Sequence, residues 1–488
     1  MTCHLCSESQ LQENNKIVWT DISGKEYCIL HAPAEQKNIG QKDFNDLIFH
    51  IIKKSAEDDR WCDLSNTIFP WEITFSKETT GPSIPHIDFS NSTFKKRTAF
   101  VNFDTKKRFI LDNSTFESSL QLYRVTLDDT SSFTYINCQE DARFRFCNFS
   151  ETEGFNSAIF YKAVEFLHVV SKDIDFNFAT FEETLTIHFT DFLGKSSFDN
   201  TNFKKNVKII ESQFKKATFK SSNFLSDAAF VSSIFLKEVI FMQTVFGGDV
   251  TFTNCQTSTS RLFFYELSVT QKITFSRIYL HNATFLFTDL DKIKFHNVKW
   301  QLSPDGARLI SPVESNLKGN LDKDLRNIDE EILQDTIHFY RQMKKKARDN
   351  SDDEEASLWH YSEKEMVLRR LQTYDKRPFH KKILQAYKIT SRYGEDPLQA
   401  VEVLFYLSLL LLATLALGGL YALGEPPFDI TAPRVAKGLR AFAQYALFMK
   451  PDWSPPAFFD FIAIFLSRLL IPIQAAIFAF ALRNKLHR

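Results

Sequence analysis

The chain has 488 residues, too many for one ordinary hydrophobic core, so several domains or a repeat array are expected. Its 59 basic and 60 acidic residues leave a formal charge of -1, which excludes a globally basic nucleic-acid-binding surface and a strongly acidic, DNA-like one. Phe accounts for 50 residues, whereas Gly (14) and Pro (15) are scarce, so other residues must form most of the turns.

The cysteines and the N-terminus indicate the compartment. Seven cysteines, scattered after the first three, argue against the disulfide scaffold of a secreted protein. The N-terminal sequence MTCHLCSESQ lacks the apolar core of a signal peptide, so the bulk of the chain is expected to be intracellular.

Residues 1–35 carry a metal-binding pattern. Cys3 and Cys6 form a CxxC motif, and Cys28 and His31 form a CxxH motif 21 residues later. Three thiolates and one imidazole are the ligands of a closed tetrahedral zinc site. We predict a structural zinc ion that holds this segment together. A catalytic or nucleic-acid-binding zinc finger and a metal-free segment are the alternatives.

Residues 36–61 are predicted to form a helical lid. Phe44, Leu47, Ile48, Ile51 and Ile52 fall on one face of a helix. A repeat array needs its first coil covered, and this helix precedes the array directly.

The segment 62–300 is predicted to be a repeat domain, in which apolar residues recur at alternating steps of five and six residues. From Phe89 to Phe252 the register has 31 positions, of which 29 are apolar and 23 are Phe; only Thr105 and Ser171 depart from it. The stretch 257–273 is disturbed, and five-residue steps resume from Phe275 to Trp300. Neither a helix nor an ordinary strand has this period, and a β-sandwich could not keep one register over so many steps.

The register predicts a β-solenoid of four short faces and about ten coils, in which Phe stacks on Phe at roughly the 4.8 Å strand spacing. Small residues two positions before many of the Phe residues suit a tight corner. The stretches ATFKSSNF and SSFDNTNF resemble the Phe-rich form of the pentapeptide-repeat family. This resemblance implies a right-handed quadrilateral β-helix.

Some relatives in that family imitate DNA. Between Ile87 and Trp300 we count 25 basic and 24 acidic residues, so this solenoid lacks the necessary charge. We expect no nucleic-acid partner and no DNA mimicry.

The C-terminal part begins with a linker at 301–327. An α-helical hairpin stem is predicted at 328–398, from helices at 328–348 and 351–371. Eight Lys or Arg residues and one acidic residue lie between Arg369 and Arg392, which makes the segment next to the membrane basic.

Residues 399–488 are predicted to be a membrane domain, with spans at about 403–424 and 457–482. Basic residues precede the first span and follow the second, so both termini and the solenoid are expected on the cytoplasmic side of the inner membrane. Buried helices of a soluble protein are the alternative. Segments such as FYRQMKKKA and PIQAAIFAFALRNK resemble bacterial membrane pentapeptide-repeat proteins with the same stem and helix pair.

Polar residues within the membrane domain suggest a mechanism. Arg468 lies near the middle of the second span and has no acidic residue within one turn, since Asp460 is two turns away. Arg468, Gln474 and Asp460 are therefore candidates to line a pore or an intersubunit contact. A loop helix at about 432–449 presents Arg434, Lys437 and Arg440 and either lies on the membrane surface or dips back into it.

Two functions remain open. The first is a homo-oligomer whose spans form a pore controlled by the cytoplasmic solenoid. The second is a membrane-tethered scaffold that binds a protein partner on the solenoid. No phosphate loop, HExxH or nucleophile motif is present in the sequence, so we expect no enzymatic activity.

Overall fold

The computed structural model describes residues 3–6, 16–127, 131–150, 152–257, 260–281, 283–302, 308–309, 329–373, 378–422, 439–445, 447, 449–452 and 456–486. The chain forms two compact units. One holds the N-terminal cap and the solenoid, and the other holds the C-terminal helices. Of the predicted linker, only 301–302 and 308–309 lie among the described residues.

The N-terminal cap consists of a hairpin, a 3-10 turn and a helix. Ile17–Thr20 pairs antiparallel with Glu26–Cys28, the turn is Ala34–Gln36, and helix α1 is Gln41–Glu57. The apolar face of α1 covers the first coil, since the Phe44 ring lies 6.0 Å from that of Phe69. The side chain of Asn45 also donates a hydrogen bond to the Glu72 carbonyl at 3.0 Å.

The solenoid is built from short parallel strands that pair with the coil before and the coil after. One face has ten strands, namely Ile68–Phe69, Thr93–Phe94, Thr115–Phe116, Asn137–Cys138, Ile159–Phe160, Thr180–Phe181, Asn202–Phe203, Asn223–Phe224, Val245–Phe246 and Ser268–Val269. A second face has five, namely Cys62–Asp63, Ile87–Asp88, Phe109–Ile110, Ser131–Ser132 and Thr152–Gly154.

The largest sheet wraps around the remaining sides. Its strands are Ile73–Ser76, Thr98–Thr105, Leu120–Leu127, Ala142–Arg145, Asn148–Phe149, Val164–Leu167, Val170–Ser171, Ile174–Asp175, Leu185–His188, Asp191–Ser197, Val207–Ile210, Gln213–Thr218, Ala228–Val231, Ile234–Met242, Val250–Thr253, Arg261–Tyr265, Ile273–Ser276, Ala283–Leu286 and Ile293–His296. Tyr279–Leu280, Lys299–Leu302 and Arg308–Leu309 form a small sheet at the end. Helix α2 (Lys77–Thr80) and a 3-10 turn (Leu290–Lys292) interrupt the coils.

The core is a set of aromatic columns, which confirms the predicted solenoid and its register. Phe198, Phe219, Phe241, Phe264 and Phe285 stack in one such column, with ring centroids 4.8–5.4 Å apart. The spacing matches the rise from strand to strand, so each coil buries its rings against the next.

The two polar residues of the register still occupy inward positions. Thr105 and Ser171 are buried and pair with Leu127 and Phe192. The Ser171 hydroxyl donates to the Asp173 carbonyl at 3.2 Å, so a local hydrogen bond replaces the missing ring contact. The disturbed stretch is one seven-residue step, because Thr257 is buried and Phe264 rejoins the column.

The corners explain how the chain turns with little glycine. A non-glycine residue with positive φ recurs about every 11 residues, for example Asn91 (58°), Asn102 (49°) and Asn113 (57°). Some of these positions hold bulky residues, such as Phe178 (60°) and Phe189 (48°), for which this conformation is costly. The buried Ser or Thr that follows several corners donates to a carbonyl one coil back, as Ser114 does to Phe89 at 2.7 Å.

The second unit is helical. Its helices are α3 (Asp329–Asp349), α4 (Asp353–Thr373), α5 (Pro378–Ser391), α6 (Pro397–Ala422), α7 (439–445) and α8 (Ala457–Leu486, with a π-helical turn at Leu466–Leu470). Helices α6 and α8 are long and apolar enough to cross a membrane. Only 22 % of the most apolar window of each is buried, which is unlike the core helix of a soluble protein.

Candidate functional site

The four predicted metal ligands lie together. Their ligating atoms all fall within 4.8 Å of one another. The His31 Nδ1 atom is 3.2 Å from the Cys3 sulfur and 3.3 Å from that of Cys28, and the sulfurs of Cys6 and Cys28 are 3.5 Å apart. Metal–ligand bonds of about 2.1–2.3 Å in a tetrahedron place neighbouring ligand atoms about 3.4–3.8 Å apart. The group can therefore hold a metal ion in a closed site.

Outer contacts attach this site to the solenoid. The second ring nitrogen of His31, Nε2, donates to the Ser65 carbonyl at 3.1 Å, which leaves Nδ1 directed at the sulfurs. The buried ammonium of Lys37 donates to the carbonyls of Ile29 and Leu30, the two residues between Cys28 and His31. Burial lowers the pKa of Lys37 to about 7. These bonds fix the loop that carries two of the ligands.

The ligand sulfurs also act on one another. The hydrogen bond from the Cys6 thiol lowers the pKa of the Cys28 thiol, and the hydrogen bond from His31 lowers it further. A thiolate, the form that binds a metal, is therefore favoured at Cys28.

An exposed aromatic column runs along one corner of the solenoid. We define it as Tyr123, Phe146, His168 and Phe189, which come from successive coils. Successive ring centroids are 5.7, 5.1 and 4.9 Å apart. Phe146 and Phe189 are 47 % and 41 % exposed, and both adopt positive φ. The stacked rings therefore leave an apolar patch on the outer surface of the solenoid.

The helical stem contains a buried charge network. The Glu363 carboxylate is almost fully buried and accepts hydrogen bonds from Arg341 at 2.8 Å and Lys344 at 2.5 Å. His360 lies 3.9 Å from Glu363 and from Glu395, and burial lowers its pKa despite both carboxylates. The network joins α3 to α4, and Glu395 extends it to the start of α6.

A sharp elbow connects α5 to α6. Arg392, Tyr393 and Gly394 all have positive φ (47°, 62° and 81°), and the buried Tyr393 hydroxyl donates to Glu365 at 2.7 Å. The buried Gln474 of α8 donates to the carbonyls of Thr390 (3.1 Å) and Ala400 (2.9 Å). Its amide hydrogens are thus used within one copy of the chain, where they fix α8 to the elbow. The predicted role of Gln474 in a pore or an intersubunit contact stays a prediction.

Helix α7 packs against α6 and α8. The buried Tyr445 joins a cluster with Leu411, Leu415, Ala463 and Leu466. Leu411 lies 14 residues into the 26-residue helix α6, or about 21 Å along it. Whether the loop helix lies on the membrane or dips back into it stays a prediction.

Asp460 and Arg468 occupy different positions in α8. Asp460 is half-buried and accepts a hydrogen bond from the Tyr445 hydroxyl. Arg468 is exposed in the π-helical turn, and no described residue forms a hydrogen bond or ion pair with it, although its charge acts on Tyr445 at longer range. π-Turns within α-helices are frequent at functional sites.

The basic residues of the loop are described only in part. Arg434 and Lys437 lie outside the described residues. Arg440 forms an exposed ion pair with Asp452 at 3.1 Å, and the predicted membrane-surface role of these three residues stays a prediction.

The comparison with protein families falls on the solenoid. The family model for pentapeptide repeats, nine copies long, matches residues 209–256. The matched part of the solenoid is a pentapeptide-repeat segment. The matched coils include Phe219 and Phe241 of the stacked column, so the pentapeptide repeat and the buried register coincide. No curated protein and no solved structure matches the chain.

Three features of the structure were not predicted from the sequence. The aromatic column, the Glu363 network and the Tyr445 cluster each depend on residues far apart in sequence. For the column, a signal existed: Phe146, His168 and Phe189 recur at steps of 22 and 21 residues, the length of one coil.

Proposed function

We propose that this pentapeptide-repeat protein is a membrane-embedded homo-oligomer in which α6 and α8 of several copies surround a hydrated path. The solenoid and both termini lie on the cytoplasmic side of the inner membrane, and the solenoid controls the path. We propose that the protein is not an enzyme.

The observation that carries this proposal is the exposed Arg468 in the π-helical turn of α8. An unpaired cation near the middle of a bilayer costs about 3 kcal/mol or more unless water or a partner surrounds it. Asp460 is engaged by Tyr445 within the same chain. A hydrated axis shared between copies accommodates Arg468 without a carboxylate, and one copy with two spans cannot enclose such an axis.

Two further features support this arrangement. Most of the surface of α6 and α8 is uncovered within one copy, which leaves room for helix contacts between copies. Helix α7 reaches the middle of α6, as a helix that lines or shapes a pore would.

The stoichiometry of the purified full chain tests the proposal. Native mass spectrometry in a mild detergent should give a discrete oligomer of at least three copies, and Arg468→Leu should keep that oligomer because the pairing surface is apolar. A wild-type chain that is monomeric in detergent and in nanodiscs would contradict it.

We also propose that zinc is the metal of the Cys3, Cys6, Cys28 and His31 group. Three thiolates and one imidazole favour zinc over harder cations. With four protein ligands the ion would only stabilise the cap, because no coordination position is left for a substrate.

A second candidate function is a membrane-tethered scaffold, which the exposed aromatic column favours. A photo-crosslinking amino acid at position 189 should then yield one discrete adduct in cells. The same amino acid at the exposed, off-register position 216 should yield none. Equal labelling from both positions, or from neither, would contradict a specific binding surface.

A further inference from the structure

Helix α5 has one packed face and one uncovered face. On the packed side, Leu384 and Tyr387 contact the buried Tyr361 and Tyr393, and Lys388 pairs with Glu365 at 2.7 Å. The other face is exposed and consists of Phe379, Lys382, Ile383, Ala386 and Ile389. Phe379, Ile383 and Ile389 are 72 %, 50 % and 67 % exposed, a large apolar surface for one side of a 14-residue helix.

This face lies where the chain enters the membrane-spanning helices. The elbow after Ser391 leads within six residues to Pro397, the first residue of α6. Gln474 holds the carbonyls of Thr390 and Ala400, and Asn484 donates to the Gly394 carbonyl at 3.2 Å. The end of α5 is therefore fixed to both spanning helices, at the level of the first turn of α6.

The charge of α5 identifies what covers this face. The helix contains Lys381, Lys382 and Lys388 and no acidic residue. Neither Lys381 nor Lys382 has a carboxylate partner among the described residues, whereas Lys388 is paired with Glu365. An apolar face that carries the exposed Lys382, on a helix without acidic residues and beside a spanning helix, matches the boundary between acyl chains and anionic headgroups.

We propose that α5 is an interfacial anchor that binds the anionic lipids of the leaflet entered by α6. Phe379, Ile383 and Ile389 lie among the acyl chains, and Lys381 and Lys382 contact the headgroups. The anchor rests on the proposed insertion of α6 and α8, and it makes the angle of the elbow depend on lipid charge.

Hydrogen exchange of the full chain in nanodiscs tests this proposal. The probes are discs of phosphatidylcholine alone and discs in which about a third of the lipid is phosphatidylglycerol. Amides of 378–391 should exchange more slowly in the anionic discs. The lipid-dependent protection should fall about fivefold for each lysine removed, so most of it should be lost in the double variant Lys381→Gln, Lys382→Gln.

Lys345→Gln is the matched control, because Lys345 is an exposed lysine of α3 away from this face. It should leave the lipid dependence unchanged. Lys382 is exposed on the uncovered face, so the single variant Lys382→Gln leaves the packed side of α5 intact and should still lose about fivefold of the lipid-dependent protection.

Three results would overturn the anchor. Equal exchange of 378–391 in both discs, with α6 protected, would show that α5 ignores lipid charge. Protection that depends on protein concentration in detergent would assign the face to a second copy. Rapid exchange of 401–417 in every disc would refute membrane insertion itself and the anchor with it. This result can be told from the first two, because in those α6 stays protected.

Discussion

Replacement of Phe219 by Ala should destabilise the solenoid more than any change at a corner. The Phe219 ring is 1 % exposed and lies between Phe198 at 4.9 Å and Phe241 at 4.8 Å, with interplanar angles of 5° and 6°. Phe224 and Phe230 contact it from the sides. The cavity left by Ala is enclosed by stacked rings in three coils, which cannot move inward without breaking strand pairing.

The magnitude follows from that enclosure. Phe→Ala in a rigid core costs about 3–5 kcal/mol, and aromatic pairs add about 0.5–1.5 kcal/mol beyond buried area, so we expect the upper part of this range. Phe178→Ala is the matched control. The ring of Phe178 is 59 % exposed at a corner, and its removal should cost under about 1 kcal/mol.

Urea-induced loss of the β signal in circular dichroism, on the detergent-solubilised full chain, measures both variants. Lys216→Ala should change the free energy of unfolding by less than about 0.5 kcal/mol. Equal destabilisation by Phe219→Ala and Phe178→Ala would refute the assignment of inward and outward positions, and with it the register.

Three further predictions concern the cap, the stem and the elbow. The purified chain should contain one zinc per copy by elemental analysis, and Cys28→Ser should remove it and open 1–35 to proteolysis. The control Cys147→Ala should keep the metal. A metal-free wild type would contradict the site. Because burial lowers the pKa of His360 below its usual 6.5, the unfolded stem binds more protons below that pH, so this contribution to stability is present above pH 6.5 and is lost as the pH falls below it. Hydrogen exchange of α3 and α4 should show this loss, and His360→Gln should flatten it while the exposed His338→Gln should not. Gln474→Leu removes the two hydrogen bonds to the carbonyls of Thr390 and Ala400 and should cost about 1–3 kcal/mol, seen as faster exchange at 390–400. Unchanged exchange there would contradict a role of Gln474 in fixing the elbow.

The solenoid could be predicted from the sequence because its core uses one residue type at nearly constant spacing. Phe at alternating steps of five and six specifies which side chains point inward, whatever the corners are made of. The seven-residue step at 257–264 was invisible, because Phe263 and Phe264 are both apolar and only strand pairing selects the second for the column.

The corners and the polar clusters could not be predicted in the same way. Positive φ at Phe178 or Phe189 contradicts local preference and is imposed by the coils above and below. Helix α5 was predicted only as a basic segment, since its amphipathic character depends on which residues the stem covers. Arg468 was recognised because a charge within an apolar run is conspicuous, whereas the engagement of Asp460 by Tyr445 requires the packing of α7.

The most direct test of the central claim is ion flux through liposomes that contain the purified full chain. The wild type should let ions cross the liposome membrane, as reported by a fluorescent ion indicator trapped inside. Arg468→Leu should abolish this flux while expression and oligomer size stay unchanged. Arg468→Glu should restore flux with the opposite charge preference, because the side chain would face a hydrated axis. Absence of flux from an oligomeric wild type, or flux unaffected by both substitutions, would contradict a path lined by Arg468.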